Sequence, residues 1–156
     1  MNIRKLEQQD KKELTKLLKE FYDFTLTSLN KDLKPFLQAK NEQKMINDWS
    51  KENYSKNRIV FVTEENSLLF GFICATILPK KGVLLSKEGY IENLFVTKSH
   101  RKRGIGRLLF NEIINEFKKQ KCTHLGLSTF FEYKEAIEFY ESLGLKPFDM
   151  QLKKQL

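Results

Sequence analysis

The stretch FVTKSHRKRGIGRLLFNEIINEF, residues 95–117, joins the end of an apolar segment to an amphipathic one through a basic turn with two glycines. The residues that lead into it, GYIENLFV at 89–96, read as a β-strand. After the turn, apolar side chains recur at the three- and four-residue spacing of one helix face, and these are Ile105, Leu108, Leu109, Ile113 and Phe117. The stretch therefore predicts a strand, a tight turn and a helix from Gly104 to about Gln120.

The turn has the features of an anion-binding site. A helix that begins at Gly104 leaves its first backbone N–H groups without partners in the helix, and the helix dipole adds roughly half a positive charge at that end. Glycines at 104 and 106 carry no Cβ that would keep an anion from those donors. The turn is also surrounded by four cations, which are Arg101, Lys102, Arg103 and Arg107. Together these features predict a phosphate-binding turn.

The spacing of the glycines excludes two common phosphate-binding motifs. A dinucleotide-binding fingerprint requires a third glycine where this chain has Leu109, and the P-loop sequence GxxxxGK[ST] is absent. What remains is R-x-x-G-x-G, from Arg101 to Gly106, which is short enough to occur by chance in many chains. On these residues alone, a basic turn that only faces solvent is an equally good interpretation.

Outward from this stretch, the pattern predicts six strands and four helices. In chain order they are a strand at 2–6, a helix from Asp10, a looser helix at 41–54, strands at 58–64, 67–78 and 89–96, the helix from Gly104, a strand at 123–129, a helix at 133–144 and a strand at 146–154. The order β-α-α-β-β-β-α-β-α-β predicts an α/β (α+β) fold. Its sheet is mixed and mostly antiparallel, with helices on both faces, rather than doubly wound.

Composition and charge narrow the class of protein. The length fits a single domain, residues 1–156, and the net charge of +8 favours polyanionic partners such as nucleotides. No stretch approaches the ~20 apolar residues of a membrane span. The first residues lack the apolar core of a signal peptide, so we expect a cytoplasmic protein without a membrane partner. Cys74 and Cys122 lie far apart without metal-ligand spacing, which predicts reduced thiols and no metal site.

Two motifs at linked spacings point to one family. Val96 ends a strand five residues before Arg101, and the R-x-x-G-x-G loop opens a long helix. Further on, Ala136, Tyr140 and Gly144 stand at the spacing of a second signature. The sequence resembles, over nearly its whole length, the GNAT superfamily of acyl-CoA N-acyltransferases. YIENLFV followed by RKRGIG is similar to the polyamine acetyltransferase branch, although many branches share such strings.

The resemblance implies acetyl-CoA as co-substrate and a set of cofactor-binding residues. The pantetheine arm would lie along the strand edge at Leu94, Phe95 and Val96. The turn would hold the pyrophosphate, through Arg101, Lys102, Arg103, Gly104, Ile105, Gly106 and Arg107. Ala136 and Tyr133 belong to the second signature, where Tyr133 replaces an Asn that many members direct at the cofactor and Leu145 replaces a Phe.

The resemblance also implies two catalytic residues. Transfer to a primary amine requires removal of a proton, because an ammonium with a pKa near 10.4 is almost fully charged at neutral pH. Glu92 is the candidate base, and strand alternation places it on one face with Leu94 and Val96. Tyr140 is the candidate donor to the departing thiolate. The alternatives are an exposed strand carboxylate paired with a lysine for Glu92, and a core aromatic for Tyr140.

Several readings of the function stay open at this level. The acceptor is a small-molecule amine, an aminoglycoside-like drug or a protein amino group, and a homodimer is only a habit of the family. A domain that binds acyl-CoA as a sensor without turnover would carry the same turn. A nucleic-acid-binding module is a further alternative. We do not expect a nucleic-acid partner, because the positive charge concentrates on one turn and no aromatic side chains interleave it.

Overall fold

The computed structural model describes residues 1–155. Five strands form one sheet: β1 (Asn2–Lys5), β2 (Arg58–Glu65), β3 (Leu68–Pro79), β4 (Lys87–Val96) and β5 (His124–Leu127). Four helices accompany it: α1 (Lys11–Ser28), α2 (Glu42–Glu52), α3 (Ile105–Lys119) and α4 (Lys134–Glu141). Short 3-10 turns lie at Gln8–Asp10, Lys34–Phe36 and Lys98–His100.

The strands lie side by side in chain order, from β1 at one edge to β5 at the other. The first three pairings are antiparallel, and only β4 and β5 run parallel. The parallel pair requires a crossover connection, which α3 supplies. The mixed, mostly antiparallel sheet with helices on both faces is the fold class that the sequence predicted, and it is confirmed.

Each face of the sheet is covered by its own apolar cluster. On the α1 face, α1 and α2 pack on alternate residues of the central strands; this cluster contains Leu14, Leu17, Leu18, Tyr22, Ile46, Val60, Val62, Leu69, Phe72, Cys74 and Phe95. On the α3 face, α3 packs on the intervening residues; this cluster contains Phe61, Phe70, Ile73, Ala75, Ile91, Ile105, Leu109, Phe110, Ile113 and Phe117. Because both faces are buried, β3 is apolar at nearly every position and β2 has four consecutive apolar residues at 59–62, rather than apolar residues at every second position.

The predicted last strand, at 146–154, is wrong: no strand is formed between Gly144 and residue 155. Its apolar side chains point into solvent, and Phe148 is 99% exposed. Alternation predicts a strand only where a neighbouring strand can pair with its backbone. The edge strand β5 is four residues long, and this segment does not pair with it. The other predicted elements form, with ends shifted by a few residues.

Two further properties concern the whole of the described chain. Within residues 1–155, no helix combines the length and the apolarity that crossing a lipid bilayer requires. The same residues contain no group of three or more His, Cys, Asp or Glu side chains placed to hold a metal ion.

Strand β4 is held close beneath α3 by a glycine. A Cβ built on Gly89 would overlap the ring of Phe117, which is buried in the α3-face cluster. We expect Gly89→Ala to lower the free energy of unfolding by about 1–3 kcal/mol through overpacking, measured by urea denaturation. Gly82→Asn is the control, because Gly82 has a positive φ that Asn tolerates and nothing lies within 4 Å of its Cβ. Equal midpoints for the two variants would contradict this packing.

Candidate active site

Strands β4 and β5 separate part-way along their length. They pair from Glu88 with His124 to Ile91 with Leu127. β4 then continues five residues to Val96, whereas the chain leaves β5 after Leu127. Within residues 1–155, no strand pairs with this last part of β4 on the side of β5. We call the opening between β4 and the departing chain the gap, and Glu92, where it begins, its vertex.

A β-bulge at the vertex accompanies the separation. In the ladder with β3, Asn93 pairs with Cys74 and Ile91 pairs with Ala75, so Glu92 has no partner residue. A bulge bends its strand and increases the local twist. It therefore directs the second half of β4 away from the line that β5 follows.

The bulge also changes which face each side chain occupies. Ile91, Leu94 and Val96 all pack on the α3 face, although regular alternation would put Ile91 and Leu94 on opposite faces. The Glu92 carboxylate contacts the Arg58 guanidinium, which also lies 4.0 Å from Cys74 Sγ in the α1-face cluster. Glu92 is therefore on the α1 face. The prediction that it shares a face with Leu94 and Val96 is wrong, because alternation breaks at the bulge.

The free edge of β4 presents backbone groups to the gap. Thr97 donates its N–H to the carbonyl of Phe70 on β3, at 2.8 Å. Because backbone groups alternate in direction along an antiparallel strand, the groups of Phe95 also point to β3 and those of Leu94 and Val96 point to the gap. Of the three predicted strand contacts, Leu94 thus offers its N–H and its carbonyl to the gap, whereas Val96 offers only its N–H, because its carbonyl accepts a hydrogen bond from Arg101. Phe95 instead places its ring in the α1-face cluster.

The turn at residues 101–107, here called the Gly104 turn, follows β4 after a 3-10 turn. Lys102 and Gly104 have positive φ, of 59° and 77°, and Gly104 caps α3 in the left-handed conformation. The backbone N–H groups of residues 102–107 find no acceptor within residues 1–155, and the first bond of the helix is made by Leu108. Six consecutive donors at a helix N-terminus form a concentrated site for an anion.

The two glycines of the turn have different roles. At Gly104 nothing lies within 4 Å of the position that a Cβ would take, so crowding does not require glycine there. The requirement comes from its left-handed backbone conformation. Gly106 has an ordinary φ, and a Cβ there would lie 3.5 Å from the Phe139 ring of α4. Gly106 therefore marks the contact between α3 and α4, next to the free amides.

The cations of the turn divide into two kinds. Lys102, Arg103 and Arg107 are exposed beside the free amides. Arg101 points the other way: its Nε donates to the Val96 carbonyl at 2.9 Å, and its guanidinium lies 4.1 Å from the centre of the Phe24 ring. The side chain of Arg101 thus braces the end of β4 against α1 rather than surrounding the amides.

Tyr140 lies on α4 and packs into the α3-face cluster beside Phe139. Its hydroxyl makes no hydrogen bond to a residue between 1 and 155. Burial raises the pKa of Tyr140 to about 12. The phenol is therefore neutral at physiological pH and keeps a proton that it can donate in a hydrogen bond.

The other two residues of the second signature lie at the start of α4. Ala136 is half-buried in its first turn. Tyr133 turns to α1: its hydroxyl donates to the Thr25 carbonyl at 2.8 Å, its ring lies 6.0 Å from that of Phe24, and burial raises its pKa. Tyr133 therefore ties the loop after β5 to the last turns of α1.

The Gly104 turn thus places unpaired backbone N–H groups beside the free edge of β4. This is the arrangement that the sequence resemblance implied. The chain matches the Acetyltransferase (GNAT) family over residues 13–145. It belongs to the GNAT family.

Relatives of this GNAT domain include two acetyltransferases. L-ornithine N5-acetyltransferase NATA1 of Arabidopsis thaliana is 26% identical over 118 residues, which are 75% of this chain and 49% of that protein. N-alpha-acetyltransferase 30 of Dictyostelium discoideum is 34% identical over 86 residues, 55% of this chain and 45% of that protein. The alignments thus span about half the length of these relatives.

The fold recurs in solved structures. One is a protein of Clostridium acetobutylicum, named a predicted acetyltransferase and solved with acetyl-CoA. It superposes with a TM-score of 0.76 at 16% identity, over 99% of this chain and 95% of that one. At this identity the likeness concerns the fold.

Sequence reasoning missed two residues near the vertex. Arg58, at the start of β2, is the ion-pair partner of Glu92, and Asn93 follows Glu92 on the bulge without a side-chain hydrogen bond to residues 1–155. No local pattern indicates either residue. The partner of Glu92 depends on the register of three strands, which spacing along the chain does not specify.

The contacts of Arg101 lead to a stability prediction. We expect Arg101→Gln to lower the free energy of unfolding by about 1–2 kcal/mol, because it removes a charge-assisted hydrogen bond and a cation–π contact. The exposed Arg103 provides the control, since Arg103→Gln should change stability by less than about 0.5 kcal/mol. Thermal or urea unfolding measures both. The assignment of Arg101 as a brace fails if the two variants are equally stable.

Proposed function

We propose that this protein is an N-acetyltransferase that moves the acetyl group of acetyl-CoA to a primary amine by direct attack. The observation that carries the proposal is the set of six unpaired amides at the Gly104 turn, beside the free edge of β4. Membership of the GNAT family and the acetyl-CoA in the Clostridium acetobutylicum structure support it. Both named relatives are N-acetyltransferases.

The residues present fit the chemistry of the coenzyme. Its diphosphate is an anion that suits the amides of residues 102–107, and the exposed Lys102, Arg103 and Arg107 complement its charge. Its pantetheine arm contains two amides, which suit the backbone groups that Leu94 and Val96 direct into the gap. When bound, it supplies an acetyl thioester. In this proposal Gly106 and Ala136 lie along the path between the turn and α4, and Ile105 contributes its backbone N–H while its side chain packs in the α3-face cluster.

Glu92 attracts the positively charged acceptor amine and removes its proton. At pH 7 only about one primary amine in a few thousand is uncharged, so the site must take up a proton. Glu92 stands at the vertex on the α1 face, and its carboxylate attracts the ammonium and accepts the proton directly or through water. An N–H group that faces the gap, at Leu94 or Val96, stabilises negative charge on the carbonyl oxygen.

Tyr140 acts on the leaving sulfur by donating a hydrogen bond. An ordinary thiol has a pKa near 8.5, whereas burial raises the pKa of Tyr140 to about 12. Full transfer of the phenolic proton to the thiolate would thus be uphill by roughly 5 kcal/mol. The proton that finally protonates the sulfur comes from the amine.

The acceptor is a primary amine of a small molecule or of a protein. The two relatives differ in this respect, since one is named for ornithine and the other for an α-amino group. Neither Cys74 nor Cys122 is in a disulfide, and a reducing compartment such as the cytoplasm suits such thiols.

Removal of the Tyr140 hydroxyl tests the mechanism. We expect Tyr140→Phe to lower kcat by about 10- to 100-fold through loss of a hydrogen bond made in the transition state, with the Kd for CoA unchanged within twofold. Release of thiol from acetyl-CoA, over a panel of primary amines, measures the rate. Because the phenol stays protonated, the rate of the wild type should not fall from ionisation of Tyr140 below about pH 11.

Tyr54→Phe is the matched control, because the Tyr54 hydroxyl bonds the Glu7 carbonyl, away from the gap. Its kcat should equal that of the wild type. An unchanged kcat in Tyr140→Phe would refute the role of Tyr140. The absence of thiol release by the wild type with every amine would refute acetyl transfer itself, and leave a domain that binds the coenzyme without turnover.

A further inference from the structure

The carboxylate at the vertex has a specific partner. Glu92 contacts Arg58 Nη1, although Arg58 lies on β2 and Glu92 on β4, with β3 between them. Both side chains are partly buried, with 22% of Arg58 and 23% of Glu92 exposed. Two charges that meet across an intervening strand and are mostly shielded from water hold each other in place more firmly than a fully exposed pair.

The strand between them makes the contact possible. Cys74 of β3 is small, and Arg58 Nη1 passes 4.0 Å from its sulfur on the way to Glu92. Burial raises the pKa of the Cys74 thiol to about 11, so the residue beneath the guanidinium is uncharged. The guanidinium also lies 3.6 Å from Glu52, at the end of α2, through Nη2. Arg58 thus lies between two carboxylates, one from α2 and one at the vertex.

We propose that Arg58 is a positioning residue for acetyl transfer, which fixes the Glu92 carboxylate at the vertex of the gap. This inference rests on the proposed function. Without Arg58, Glu92 would have no cation within reach of its present position, and like charge from Glu52 would repel it. With Arg58, the three groups carry a net charge of −1 and Glu92 keeps one orientation, so a cationic amine meets a fixed carboxylate beside the gap.

A purely structural role for Arg58 is the competing explanation. In that case its contacts only tie α2 to the sheet, and its loss would impair the protein in the same way whether or not residue 92 carries a charge. The positioning role predicts the opposite, since Arg58 acts only through Glu92. A double-mutant cycle separates the two.

The experiment compares Arg58→Met, Glu92→Gln and the double variant in kcat/KM for the best amine of a panel that contains L-ornithine, a diamine and a peptide with a free N-terminus. We expect losses of about 100-fold for Glu92→Gln and about 10-fold for Arg58→Met. The double variant should lose no more than Glu92→Gln alone. Arg58→Lys should recover at least threefold of the loss in Arg58→Met, because an ammonium still provides a cation.

Two measurements distinguish this result from the effect of a folding defect. The Kd for CoA should be unchanged in every variant, because Arg58 and Glu92 lie on the face of the sheet opposite α3. Glu52→Gln is the matched control: it removes the other carboxylate on Arg58 from a mostly exposed position, and kcat/KM should stay within twofold of the wild type.

Two results would overturn the inference while acetyl transfer stands. One is an active wild type in which the losses of Arg58→Met and Glu92→Gln multiply in the double variant. The other is an active wild type in which Glu92→Gln has no effect. A wild type that binds CoA but releases no thiol with any amine refutes the proposed function, and the role of Arg58 in it.

Discussion

The β-bulge at Glu92 decides how β4 meets both of its neighbours. Toward β3 it leaves one residue without a partner, and toward β5 it coincides with the end of pairing. The strand that continues to Val96 therefore keeps backbone groups that no other strand satisfies. A ligand with amides of its own could pair with these groups. The same extra residue turns Glu92 to the α1 face, opposite Leu94 and Val96.

The two apolar clusters hold the second half of β4 in place, although no strand pairs with it on the side of β5. Ile91 packs beneath α3 and Phe95 packs beneath α1, so side chains on both faces anchor β4 on either side of the bulge. Arg101 adds a third restraint, because it bonds the last carbonyl of the strand and lies over the Phe24 ring. The free amides of the Gly104 turn are thus attached to a rigid element, which keeps them oriented before any ligand arrives.

The sequence allowed prediction of those features that depend on residues close together in the chain. The Gly104 turn, helix α3 and the position of Tyr140 on α4 follow from local spacing, and the structure contains all three elements. The bulge could not be predicted from the sequence, because it depends on the register between β3 and β4. For the same reason alternation misplaced Glu92, and nothing indicated Arg58 as its partner. The strand expected at 146–154 failed because alternation describes a side-chain pattern and does not supply a neighbour for the backbone.

We propose that the amides of the Gly104 turn hold the diphosphate of coenzyme A while the edge of β4 holds its pantetheine arm. Titration of ¹⁵N-labelled protein with CoA, followed by amide chemical shifts, tests it most directly. We predict saturable shifts at residues 102–107 together with Leu94 and Val96, and with pantetheine, which lacks the diphosphate, shifts at Leu94 and Val96 only. Saturation by CoA without a shift at Gly104 and Gly106 would contradict the account.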